Sequence, residues 1–138
     1  MYGKIIRIDE VYGYKVKASD YSTMEGYEII TEENKILVLI EDGQQCCESY
    51  GYFSSDDNLK SFIGADLREI NLTDTALRKY TEEELGIDIE SDWTGIQFVD
   101  FVTDKGAFQL AVYNAHNGYY GHDIKVIIDD KAICEQTL

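Results

Sequence analysis

Asp42, Cys46, Cys47 and Glu48 fall within seven consecutive residues, and each of these side chains ligates divalent metals. Thiolate and carboxylate donors suit zinc, which takes four ligands in a tetrahedron. Further along, His116, His122 and Asp123 bracket an Asn117-Gly118 turn. If that turn lies beside Cys46–Glu48, a Cys/His/carboxylate site for zinc closes. The candidate ligands are Asp42, Cys46, Cys47, Glu48, His116 and His122. The spacing matches no standard zinc motif, however. Adjacent strand residues face opposite sides, so Cys46 and Cys47 reach one ion only across a bulge. The plain alternative is one cysteine packed in the core and histidines on a surface loop.

Other chemistry finds little support. A hydrolytic triad would need His116 or His122 as its base, and no Gly-x-Ser-x-Gly elbow occurs. A nucleotide-binding loop of the Walker or dinucleotide type is also missing. The chain therefore reads as a binding protein, not an enzyme. The three cysteines are an odd count, and no signal peptide precedes the first strand-like segment, which argues against a disulfide framework and for a cytoplasmic setting. The longest apolar run, Ile36–Ile40, is strand length, so no membrane span is expected.

Charge narrows the partner. Acids number 27 and bases 12, a formal net charge of −15. A surface of that sign repels nucleic acid and anionic membranes, and attracts a basic protein or a divalent cation. The charge is uneven. Residues 1–80 carry 9 bases and 15 acids, net −6; residues 81–138 carry 3 and 12, net −9. The densest patch is Glu82, Glu83, Glu84, Asp88, Glu90 and Asp92, with no base among them. Such a patch is a solvated face that aids solubility, or a phosphate mimic aimed at a basic groove. Trp93 stands beside it as a candidate interface anchor, or as a core residue. The chain holds 11 tyrosines, of which Tyr50, Tyr52, Tyr119 and Tyr120 fall near the two metal-candidate segments. Tyrosine is enriched at interfaces and is also an ordinary strand residue. Tyr119 and Tyr120 join the acidic patch and Trp93 as partner-binding candidates.

The elements that must position these residues are short strands. Length fits one domain over residues 1–138. Alternation predicts strands at Lys4–Ile8 and Tyr12–Lys17, with a turn at Asp9-Glu10 between them. Further strands are expected at Tyr27–Thr31, Lys35–Glu41, Gln45–Phe53, Asp66–Leu72, Ile96–Thr103, Ala107–Asn114 and Tyr119–Asp129. Ser55–Asn58 can cap a short helix through Leu59 and Phe62. Asp74–Leu85 reads as a second short helix or as a mobile acidic loop, because Glu82–Glu84 would lie unfavourably at a helix C-terminus. The fold class predicted is α+β, a curved or barrel-like antiparallel sheet with one or two short helices.

Two segments together resemble a known family. They are Gln44-Gln45-Cys46-Cys47-Glu48-Ser49 with Leu59–Gly64 and Asp66–Ile70, and Phe98–Thr103 with Ala111–Asn114 and Asn117-Gly118-Tyr119-Tyr120. This combination resembles an uncharacterised family of small phage and prophage proteins, over about residues 27–128. In the family pattern a histidine often precedes the first cysteine by four residues; here that position is Asp42. His116 and His122 lie outside the pattern, which favours Asp42, Cys46, Cys47 and Glu48 as ligands. Small acidic phage proteins of this kind are similar to inhibitors of bacterial immunity, including anti-CRISPR proteins. The resemblance implies binding to a basic RNA-guided nuclease of a type II system in the host bacterial cytoplasm, blocking its nucleic-acid loading. The alternatives are a zinc-stabilised phage accessory protein without an immune target, or a small-ligand-binding protein that uses the tyrosine-lined hairpins.

Overall fold

The computed structural model describes residues 2–43, 49–115 and 121–138. Among these residues nine strands form one sheet. They are β1 (Gly3–Tyr14), β2 (Met24–Thr31), β3 (Lys35–Glu41), β4 (Tyr50–Ser54), β5 (Asp66–Thr73), β6 (Gly95–Thr103), β7 (Gly106–Asn114), β8 (Asp123–Ile128) and β9 (Lys131–Thr137). Their order across the sheet is β4-β7-β6-β5-β1-β2-β3-β8-β9, with every neighbouring pair antiparallel.

The α+β expectation is overturned. Of the described residues 56% are strand and 6% helical, and no helix reaches seven residues. Leu59–Phe62 is a single 3-10 turn, and the one α-helix among the described residues, α1, is Glu82–Leu85. The sheet is also open, with β4 and β9 as its two edges. Turns fall where Gly, Asn and Asp allow them, which is why the β2–β3 and β6–β7 hairpins match the predicted boundaries closely. The expected turn at Asp9-Glu10 does not occur. β1 runs on through both residues because its C-terminal part pairs with β2 and its first residues pair with β5. β9 was not foreseen. Its residues are nearly all exposed, so it lacks the alternation that marks a half-buried strand.

β1 thus joins two half-sheets, and both contribute to one apolar core. Ile29, Val38, Ile40 and Val126 come from one half; Leu67, Val99, Phe101, Phe108, Leu110 and Val112 come from the other. Phe101 and Phe108 stack with centroids 5.0 Å apart. At Gly26 the backbone has φ 150°, and a Cβ there would meet the Val38 carbonyl oxygen at 2.0 Å, so the close approach of β2 and β3 requires glycine. A second, smaller apolar cluster (Met24, Leu37, Leu39 and Ile127) lies on the opposite face of β2, β3 and β8. Val11, Tyr14 and Val16 pack against it. Among the described residues no helix is long and apolar enough to cross a membrane.

Candidate functional site

The acid-rich segment is the connection between β5 and β6, residues 74–94. It is neither a long helix nor an unattached loop. It lies over the outward face of the β4-β7-β6 half-sheet, and Gln109 of β7 holds it there. Gln109 is 1% exposed. Its Oε1 accepts from the Leu77 amide (2.9 Å), and its Nε2 donates to the Thr75 carbonyl (3.0 Å) and to Asp100 Oδ1 (2.7 Å). Those bonds take backbone groups that a helix from residue 74 would have used, so the helix starts late. Arg78 adds a bond from Nε to the Ser55 carbonyl (3.1 Å), and its guanidinium lies 4.1 Å from the Tyr80 ring centre.

The late start reverses the electrostatic argument against a helix here. Glu82, Glu83 and Glu84 form the first turn of α1, where carboxylates favour the helix dipole. Thr81 is the N-cap: its Oγ1 accepts from the Glu84 amide (3.1 Å), and Glu84 Oε2 accepts from the Thr81 amide (3.3 Å). Gly86 ends the helix in the left-handed region at φ 75°. The Arg78 guanidinium, together with the Thr81 amide, holds the Glu84 carboxyl below its ordinary range. Beyond the helix, Ile87 is buried and anchors the segment, while Asp88 Oδ1 accepts from the Glu90 amide (3.0 Å) and the Asp88 carbonyl accepts from Thr94 Oγ1 (2.8 Å). Glu82, Glu83, Glu84, Asp88, Glu90 and Asp92 are all exposed. Trp93 is 69% exposed, so of its two readings the core one fails.

Beneath this cover is a cavity of about 720 Å³, with Leu77, Leu85, Ile87, Ile96 and Phe98 among its walls. Tyr80 also lines it. Its ring meets Phe53 edge-on at 5.0 Å, and its hydroxyl is buried without a hydrogen-bond partner among the described residues.

A second cavity, about 500 Å³, opens between β1–β2 and the stretch from β4 to the 3-10 turn. Tyr27 and Tyr52 form an aromatic corner, 5.0 Å apart at 78°. Asp9, Glu10, Asp56 and Asp57 line it, and Lys60 is the single base among its lining residues. Tyr52 donates to Glu10 Oε1 (2.9 Å), as does Tyr12 (3.1 Å). Burial first, then its bonds to Tyr12 and Glu10, push the Tyr52 phenol well above its ordinary value, so it stays a neutral donor. Sequence reasoning missed this cleft. Glu10 falls in the expected turn, and Glu10 and Tyr27 lie far from Tyr52 and Asp57 in the chain; the abundance of tyrosine was the only signal.

The metal candidates are not assembled among the described residues, where no three His, Cys, Asp or Glu side chains gather in a way that could hold an ion. Cys46, Cys47, Glu48 and His116 lie outside the described residues, as do Tyr119 and Tyr120. Asp42 accepts from Thr23 Oγ1 at 2.7 and 2.9 Å, and its carbonyl accepts from the Tyr50 hydroxyl. His122 is 1% exposed, stacked on Tyr50 at 4.3 Å, with Nδ1 2.7 Å from the Glu41 carbonyl. Glu25 is close enough to feel both: burial and then Asp42 push its carboxyl up, and His122 opposes them. A buried, stacked histidine bonded to a backbone carbonyl differs from the surface-loop histidine expected.

Fold and site together define a class: an all-β protein with an open antiparallel sheet, an acidic capped cover on one face and a tyrosine-carboxylate cleft beside it. The chain belongs to the family described as a domain of unknown function, DUF7448, which matches residues 1–126. No curated protein and no solved structure matches it.

Proposed function

We propose that the protein acts by binding, presenting residues 82–93 of the acidic cover to a basic surface on a partner protein. The observation that carries this reading is the fixing of the cover by buried Gln109 and by the Thr81–Glu84 cap. Carboxylates on an anchored backbone keep a set spacing, as phosphates on a nucleic-acid strand do. A disordered acidic loop would lose that spacing and bear an ordering cost on binding. Trp93 beside the acids supplies the apolar anchor that a charged patch needs for residence. The partner class that fits is a protein with a nucleic-acid groove. In its sharpest form the partner is a type II RNA-guided nuclease in a bacterial cytoplasm, and the protein is a phage-encoded inhibitor that blocks nucleic-acid loading.

The test is a pull-down and calorimetric titration against such nucleases, with and without guide RNA. Binding is expected to the free nuclease and to be lost once guide is loaded. Glu82→Lys with Glu83→Lys should weaken it more than tenfold at low salt, with the difference shrinking as salt rises. Trp93→Ala should cost about 2 kcal/mol at any salt. Binding that ignores both the charge reversal and salt sinks the acidic-cover reading.

A further inference from the structure

The cover is a surface; the cleft between Tyr27 and Tyr52 is a pocket of defined chemistry, and it adjoins the cover. Arg78 of the cover bonds to the Ser55 carbonyl, one residue before Asp56 on the cleft wall. Buried Tyr27 and half-buried Tyr52, set edge to face, line the cleft, and four carboxylates stand on the same walls. Some of that charge is already committed. Asp9 pairs with Arg7 at 2.7 Å, whereas Asp56 accepts only from the neutral Ser55 hydroxyl (2.9 Å) and keeps its charge. Glu10 is oriented by phenol donors, which leave its charge in place. Among the described residues Lys60 makes no ion pair with these acids. The cleft therefore keeps a net negative charge beside aromatic faces, which is the combination that holds a guanidinium or ammonium group.

We propose that this cleft is the docking pocket for one arginine or lysine side chain of the partner protein. The inference rests on the binding reading above and extends it from a diffuse charged surface to a defined pocket. The cleft's negative charge complements a basic side chain, and the cavity has the size that takes one. A volume of about 500 Å³ exceeds an extended guanidinium-bearing chain and falls in the ordinary range of ligand sites. Flat guanidinium stacks on a phenol ring while its edge meets Glu10 and Asp57. A partner that lays a basic face on the cover would bring such side chains to the cleft.

The experiment uses the full ¹⁵N-labelled chain and follows its amide spectrum. The probes are a capped Gly-Ser peptide with one arginine, the same peptide with neutral citrulline, and spermidine. The arginine peptide should give saturable shifts centred on Glu10, Tyr27, Tyr52 and Asp57. Citrulline should bind at least about fivefold more weakly, because its planar shape remains and its charge is gone. Asp56→Asn with Asp57→Asn should weaken the arginine peptide similarly, with the dispersed spectrum showing the fold intact. Glu82→Lys with Glu83→Lys should leave these shifts unchanged, so a failure of the cover and a failure of the cleft are told apart. Shifts spread over the whole acidic surface, equal binding of citrulline, or indifference to the Asn variants would overturn the proposal. Spermidine binding the cleft more than about tenfold more tightly than the arginine peptide would also overturn it, making the occupant a free polyamine.

Discussion

The acidic cover and the tyrosine cleft are both rich in carboxylates, yet they hold them in opposite ways. In the cover Glu82, Glu83, Glu90 and Asp92 face water, and it is the backbone beneath them that is fixed, by Gln109, Ile87 and the Thr81–Glu84 cap. In the cleft a key acid is itself fixed, since Glu10 receives two phenol donors. The charge of those four acids can thus be altered without disturbing the fold, and its presentation fails only if the pins beneath, Glu84 among them, are removed. The cleft's charge and shape are coupled, so changing Glu10 also releases Tyr52. Identical residue types serve as a surface in one place and as part of a built wall in the other.

The largest effect should come from the pin. Gln109→Ala leaves the Leu77 amide and the Thr75 carbonyl without their partner and opens a hole beneath the cover. A loss of about 2–4 kcal/mol is expected from these two causes. That would lower Tm by more than about 6 °C, with faster amide exchange over residues 77–94. An unchanged Tm would mean that the cover is not held by Gln109, and the contrast with the cleft would collapse.

A smaller effect belongs to the cap. Thr81→Ala should cost about 1 kcal/mol, felt as fraying of α1 alone. Amide exchange should rise at Glu84 and Leu85 and stay unchanged in β6 and β7. Spread of the effect into those strands would show that cover and sheet unfold together.

The smallest effect on stability, and the sharpest test of the cleft, is Glu10→Gln. The Tyr52 phenol lies above its ordinary value of 10.0 because of burial first, then the bonds to Tyr12 and Glu10. A phenol raised in the fold keeps its proton longer than in the unfolded chain. Its stabilising contribution is therefore present below about pH 10 and is lost as pH rises through the folded value. Removing the Glu10 charge should make the Tyr52 phenol easier to ionise, read as an earlier onset of its ring shifts in an alkaline NMR titration. An unchanged onset would show that Glu10 does not set the wall.

Much of the strand pattern was legible. Thr103-Asp104-Lys105-Gly106 between two apolar, β-branched runs specified the β6–β7 hairpin, and Glu32-Glu33-Asn34 specified β2–β3. The location of the acidic patch and the identity of Trp93 beside it were equally plain. The helical reading of 74–85 held only for its last turn because its competitor was remote: Gln109 claims backbone groups of Thr75 and Leu77 from across the sheet. β1 was broken at Asp9-Glu10 because polar residues there resemble a turn, whereas on an exposed strand they are simply the solvated side. The metal expectation falls mostly on residues outside the described ones, with Asp42 and His122 engaged by Thr23, Tyr50 and the Glu41 carbonyl.

Sequence by itself determined the local terms: which runs alternate, where glycine and asparagine permit turns, how much charge the chain carries and where it concentrates. Those depend on neighbours within a few residues. Only the tertiary structure decided which strands adjoin, because β1–β5 and β3–β8 pairing joins segments tens of residues apart. That long-range pairing folds the two half-sheets onto one core, lays the acids outward on a pinned segment, and brings Glu10, Tyr27, Tyr52 and Asp57 to one cleft. Burial and hydrogen-bond partners are properties of that arrangement, and they set what each carboxylate can do.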